Sequence, residues 1–160
     1  MLTAIPIIRR MPQVMVFALA ASLIATPVTA KDLKVLADFV APAYTAMNFT
    51  VVCVALDPEF LAQTSGPRGH AIHYAEHVKD EAIVSLSNDE AVVALRAAAD
   101  AARGTALQTL RPFHSPDPAM QAARIKAWCG NEARQFIRAF IEDHDNNHEG
   151  LLSKIEHARR

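Results

Sequence analysis

His70, His73 and His77 follow one another at spacings of three and four residues, and Asp80 comes three residues later. On a helix that spacing gathers all four side chains on one face, where imidazoles one turn apart can share a transition metal. Neutral imidazole suits zinc and copper alike, and a carboxylate would complete a mixed nitrogen and oxygen set. His73 and His77, joined by His70 or Asp80, are therefore the candidate ligands for Zn²⁺ or Cu²⁺. The plainer reading is a hydrated polar face. Ala71, Ala75, Val78 and Ala82 mark the other side of the same helix as the one that faces a core.

Within this run, His73-Tyr74-Ala75-Glu76-His77 matches the H-x-x-E-H pattern and resembles the inverzincin metallopeptidases over those five residues. The resemblance implies zinc on His73 and His77 and a water activated by Glu76. Such peptidases are far larger, and a solvated face supplies neither an enclosed cleft nor a third ligand. An enzyme is therefore the last of the readings, and no catalytic residues are assigned. No Ser/His/Asp signature, phosphate loop or dinucleotide fingerprint is present. Met47 and Met120, placed on inner helix faces, read as core filling before they read as haem ligands.

A second set of donors lies near the carboxy terminus. Asp145, Asn147 and Glu149 alternate, Gly150 follows, and Leu151, Ser153 and Glu156 complete twelve residues. The segment resembles an EF-hand calcium loop. The resemblance implies side-chain ligands at Asp145, Asn147 and Glu149, a carbonyl at Leu151, a water-mediated contact at Ser153 and a bidentate Glu156. Ile137 and Ile141 supply the apolar face of the entering helix. No second hand is present to pair with, and only four residues remain for the exit helix, so calcium binding would be weak. The competing reading is a solvated polar tail over about 143–160. His144 and His148 are a further pair able to hold a softer metal.

Compartment follows from the other end of the chain. Arg9 and Arg10 precede an uncharged apolar run over 14–25, and Pro27-Val28-Thr29-Ala30 ends in small residues, the pattern of an export signal. The mature protein is then expected to begin near Lys31, in the periplasm or outside the cell, as a single domain over 31–160. No second apolar run of about 18 residues is expected after the leader, so no stable membrane anchor is expected after cleavage. With the two arginines of the leader set aside, the net charge is −3. That acidity argues against nucleic acid as a partner.

The elements that must position these groups read as helices, since the segment is rich in Ala and Leu with little alternation. A first helix is expected over 32–56, kinked or interrupted at Pro42, followed by a short turn started by Asp57-Pro58. A second covers 70–86. The S-x-x-E box at Ser87–Glu90 opens a third over 88–110, with an apolar stripe through Val92, Leu95, Ala99, Ala102, Ala106 and Leu110. Asp117-Pro118 starts a fourth, which runs to about 143 and is loosened at Gly130. Cys53 shares a face with Ala46, Phe49, Leu56 and Phe60. Cys129 shares one with Ala122, Ile125, Ala133, Phe136 and Phe140. In an oxidising compartment the two cysteines should join the first and last helices.

Together these features predict an all-α, disulfide-stapled up-down bundle of about four helices. The function they suggest is a small exported, non-enzymatic binding or accessory module for a protein partner or small ligand. The sequence pattern adds a weak C-terminal Ca²⁺ site to that role, and a Zn²⁺- or Cu²⁺-handling protein is the alternative.

Overall fold

The computed structural model describes residues 30–84, 86–146 and 153. The expected export signal, up to residue 29, lies outside them, as do Asn147, Glu149, Leu151 and Glu156 of the calcium-loop pattern. Helix α1 (Ala30–Leu56) runs through Pro42 without interruption. The short α2 (Phe60–Gln63) follows, where Asp57 accepts from the Glu59 amide. Strands β1 (Ser65–Gly66) and β2 (Gly69–His70) then pair antiparallel in a minimal hairpin.

Helix α3 (Ala71–Ile83) leaves the hairpin directly, and α4 (Asn88–Leu110) opens on the capping box, with Ser87 and Glu90 satisfying each other's amides. A 3₁₀ turn at Arg111–Phe113 leads to α5 (Pro118–Trp128), capped by Asp117 through the amides of Ala119 and Met120. A π turn over Cys129–Ala133 joins α5 to α6 (Arg134–Asn146). Among the described residues, apart from the two-residue strands, the protein is an all-α up-down bundle with four substantial helical segments.

Helix α1 is the element on which the others pack. Its Leu36, Ala37, Val40, Ala43, Ala46, Phe49 and Cys53 are all buried. Leu33–Leu56 spans 24 residues and is long and apolar enough to cross a membrane, which corrects the expectation that no such stretch follows the leader. Residues 39–56 carry no charged side chain, and Pro42, Thr45, Asn48 and Thr50 are what disguise the run as less than continuously apolar. Here the stretch serves as a core helix, with α3, α4 and α6 against it. Its buried hydroxyls are satisfied locally: Thr45 donates to Ala41 O and Thr50 to Ala46 O.

Helix α4 meets α1 through small side chains. Ala94, Ala98 and Ala102 are buried, which lets the two backbones approach closely. The expected stripe was rotated by one position at its start, because Val92 is 58% exposed.

Cys53 and Cys129 are bonded, with Sγ atoms 2.01 Å and Cα atoms 5.6 Å apart, closing a loop of 76 residues. Around the bond lie Phe49, Phe60, Trp128, Ala133 and Ile137. Phe49 and Trp128 meet edge to face, with centroids 4.8 Å apart.

Beyond Cys129 the buried face differs from the expected one. Ala133, Ile137 and Ile141 are buried, whereas Phe136 is 38% exposed. In a regular α-helix, steps of four overshoot a full turn by about 40° each, so a 129/133/137/141 stripe would wander off the core. The wide π turn at Cys129–Ala133 absorbs that drift. It also carries His144, 2% exposed, onto the inner face. Met120, by contrast, is 47% exposed, which removes it from the inner positions assigned to it.

Candidate functional site

The hairpin, α3 and α6 converge on a small cleft. Its volume is about 110 Å³ and its lining is Arg68, His73, Tyr74, His77 and His144. Two glycines allow the hairpin to sit this close. A Cβ on Gly66 would lie 2.5 Å from Ile141 Cγ2 and 2.6 Å from Tyr74 Oη. Gly69 has φ +118°, a conformation that L side chains rarely adopt, and a Cβ there would lie 2.5 Å from His73 Nδ1.

Tyr74 organises the floor of the cleft. Its ring is buried, and its hydroxyl donates to Asp145 Oδ2 at 2.9 Å while accepting from the Arg68 amide at 3.1 Å. Arg68 Nε stands 3.5 Å from Asp145 Oδ1, so the guanidinium and the carboxylate offset each other. Burial raises the Tyr74 pKa above its ordinary value. Donation from the Arg68 amide works against that shift, and the bond to Asp145 adds to it. The His70 pKa is lowered, first by burial and then by the neighbouring His73.

His144 stands edge-on to both Tyr74 and His77, with centroids 5.0 Å and 5.2 Å away. Its Nε2 lies 3.3 Å from His77 Nδ1. On the far side of the same imidazole, His77 Nε2 lies 3.8 Å from Glu81 Oε1.

The sequence-derived ligand sets are partly assembled. His70 and His73 stack with centroids 3.9 Å apart, and His73 is exposed. His77 turns to His144 and is half-buried, so this part of α3 is not the fully solvated face expected of it. Asp80 sits 2.9 Å from Lys79 Nζ on the surface. Among the described residues no three His, Cys, Asp or Glu converge as a metal-binding group. Glu76, the water-activating residue of the H-x-x-E-H reading, is exposed and does not line the cleft. Of the calcium-loop residues, Asp145 ends up in the last turn of α6, with both carboxylate oxygens engaged, and Ser153 is exposed.

From sequence His144 pairs with His148; its place on the inner face beside His77 follows instead from Ile137 and Ile141, seven and three residues before it on the same helix face. A second hollow, about 480 Å³ and open to solvent, lies beside Trp128 between Phe113, Arg124 and Glu132. Asn131 lines it as well. No known family, curated protein or solved structure matches this chain.

Proposed function

We propose that this protein is an exported, non-enzymatic binding module whose ligand site is the cleft between the hairpin, α3 and α6. One observation carries the reading: three separate segments bring two imidazoles, a phenol, a guanidinium and a third, stacked imidazole around about 110 Å³. Drug-sized ligands fill roughly 300–1,000 Å³, so a space this small suits an ion or a ligand of a few heavy atoms. Export is supported by the leader pattern at 1–30 and by the Cys53–Cys129 bond, which suits an oxidising compartment.

The test is expression of the full chain in a Gram-negative host, followed by fractionation and amide NMR of the purified, tag-free protein. A mature N-terminus near Lys31 with oxidised cysteines is expected; full-length, reduced protein in the cytoplasm would overturn export. Titration with zinc chloride, phosphate and acetate should move resonances of the hairpin, α3 and the end of α6 for at least one of them. A panel that leaves all three segments unmoved overturns the cleft as the binding site.

A further inference from the structure

We propose that Arg134 and Arg138, drawn together by Gln63, form a binding site for a doubly charged oxyanion, either inorganic phosphate or a phosphate monoester. The site lies where α6 meets the end of α2. It goes beyond the cleft reading and does not rest on it.

Arg134 and Arg138 stand four residues apart on α6, on one side of the helix. Like charges at that spacing repel, yet both heads turn to one residue. Arg134 Nη2 donates to Gln63 Oε1, and Arg138 Nη2 donates to the Gln63 carbonyl at 3.0 Å. Gln63 is uncharged, so it satisfies one donor of each guanidinium and neutralises neither. Among the described residues neither arginine takes part in an ion pair. Two positive charges are thereby held side by side.

Arg134 is the more confined of the two. Its Cζ lies 6.0 Å from the ring centroid of Phe60, which is itself buried. Its Nε is buried and has no acceptor among the described residues. This guanidinium has given up water on its inner side without regaining a full set of hydrogen bonds. A cation so desolvated attracts an anion more strongly than one in bulk water. Arg138 is exposed and leaves the approach open. Planar guanidinium forks suit phosphate oxygens, and a phosphate monoester carries about −1.5 to −2 charge at pH 7. A dianion offsets both arginines at once, where a carboxylate offsets one.

The experiment uses tag-free, disulfide-intact protein near neutral pH, titrated with sodium phosphate at an ionic strength held constant with sodium chloride. The Gln63 side-chain amide and the Arg134 Nε–H are followed by NMR. Saturable shifts of both are expected, with acetate binding more weakly. Arg138→Gln should weaken phosphate by about tenfold or more, through loss of a charge-assisted partner. Gln63→Glu gives the arginines a carboxylate of nearly the same shape, so it should abolish phosphate binding in folded protein. Arg124→Gln, on α5, should leave affinity unchanged.

Shifts that fail to saturate, or that persist unchanged in Arg138→Gln and Gln63→Glu, overturn the site. Phosphate that moves α3 but not Gln63 also overturns it and leaves the cleft reading standing. Shifts at Gln63 with α3 unmoved support it without the cleft. Vesicles of phosphatidylcholine and phosphatidic acid present the same group on a surface. Co-sedimentation with them that free phosphate displaces supports a lipid headgroup as the source. Phosphate binding without co-sedimentation supports a free ligand.

Discussion

Tyr74 donates its phenolic hydrogen to Asp145 Oδ2 over 2.9 Å and so fastens α3 to the last turn of α6. The same oxygen accepts from the Arg68 amide, which makes one hydroxyl the junction of hairpin and both helices. Tyr74→Phe leaves the carboxylate and the amide without that partner inside a partly buried junction. The expected cost is about 1–3 kcal/mol, read as a lower urea midpoint at unchanged slope. An unchanged midpoint would mean that water replaces the hydroxyl fully.

The same junction bears on calcium. Asp145 would be the first ligand of the loop ending at Glu156, yet its oxygens already face Tyr74 and Arg68. Binding must compete with these contacts, so a site at Asp145–Glu156 is expected to be weak, with Kd on the order of 10⁻⁴–10⁻³ M. Calcium should then raise the thermal midpoint only at millimolar concentration, and Glu156→Gln should remove the effect. A titration without stabilisation, with Glu156→Gln matching wild type, eliminates the loop as a calcium site.

The Cys53–Cys129 bond closes 76 residues and joins α1 to the π turn before α6. In the chain-entropy picture a loop of that length contributes about 4–5 kcal/mol by restricting the unfolded chain. Cys53→Ala with Cys129→Ala should lower unfolding free energy by about that amount, measured by denaturant titration beside the oxidised wild type. A loss under about 1 kcal/mol would show that the unfolded chain is already compact enough to make the staple redundant.

The chain has two tyrosines, and the fold raises the pKa of both. For Tyr44 the main cause is burial, with Lys79 acting in the opposite direction and Asp80 adding to the rise. A raised folded value means that the native state holds the phenol proton more tightly than the unfolded state. The associated stability is fully present below the unfolded value near 10 and is lost as pH rises through the folded values. Phenolate absorbance of EDTA-treated native protein should therefore titrate above 10 and return to about 10 in denaturant. Native titration at the ordinary value would show both hydroxyls to be solvated.

The architecture was legible from sequence where a local signal acts alone. Ser87 and Glu90 bracket the start of α4, Asp117 and Pro118 start α5, and both are found doing so. The cysteine pairing was legible because compartment and helix face agreed. The cleft was not, because it depends on helix phase. Projecting α6 as a regular helix puts Phe136 and Phe140 inward, whereas the π turn at Cys129–Ala133 brings Ile137, Ile141 and His144 there. Histidine spacing on α3 did not foresee His144, which the opposing helix α6 sets against His77. Tyr74, to which the sequence pattern assigns no role, is the buried anchor of the junction.

Three glycines give that junction a test of sign as well as size. Gly66 has no room for a methyl group, since Ile141 Cγ2 and Tyr74 Oη lie 2.5 Å and 2.6 Å from its Cβ position. Gly66→Ala must push the hairpin off α3 and α6, at about 1–3 kcal/mol. Gly69→Ala meets His73 at 2.5 Å and places alanine at φ +118°, so backbone strain of about 1–2 kcal/mol adds to the clash. Gly104 lies within α4 and a Cβ there touches nothing within 4 Å. Gly104→Ala should accordingly stabilise the protein by about 0.5–1 kcal/mol through helix propensity. Thermal midpoints ordered Gly104→Ala above wild type, with both hairpin variants below it, are the expected result. A Gly66→Ala variant as stable as wild type would show that the hairpin does not pack on Tyr74 and Ile141, and the cleft would lose its Arg68 side.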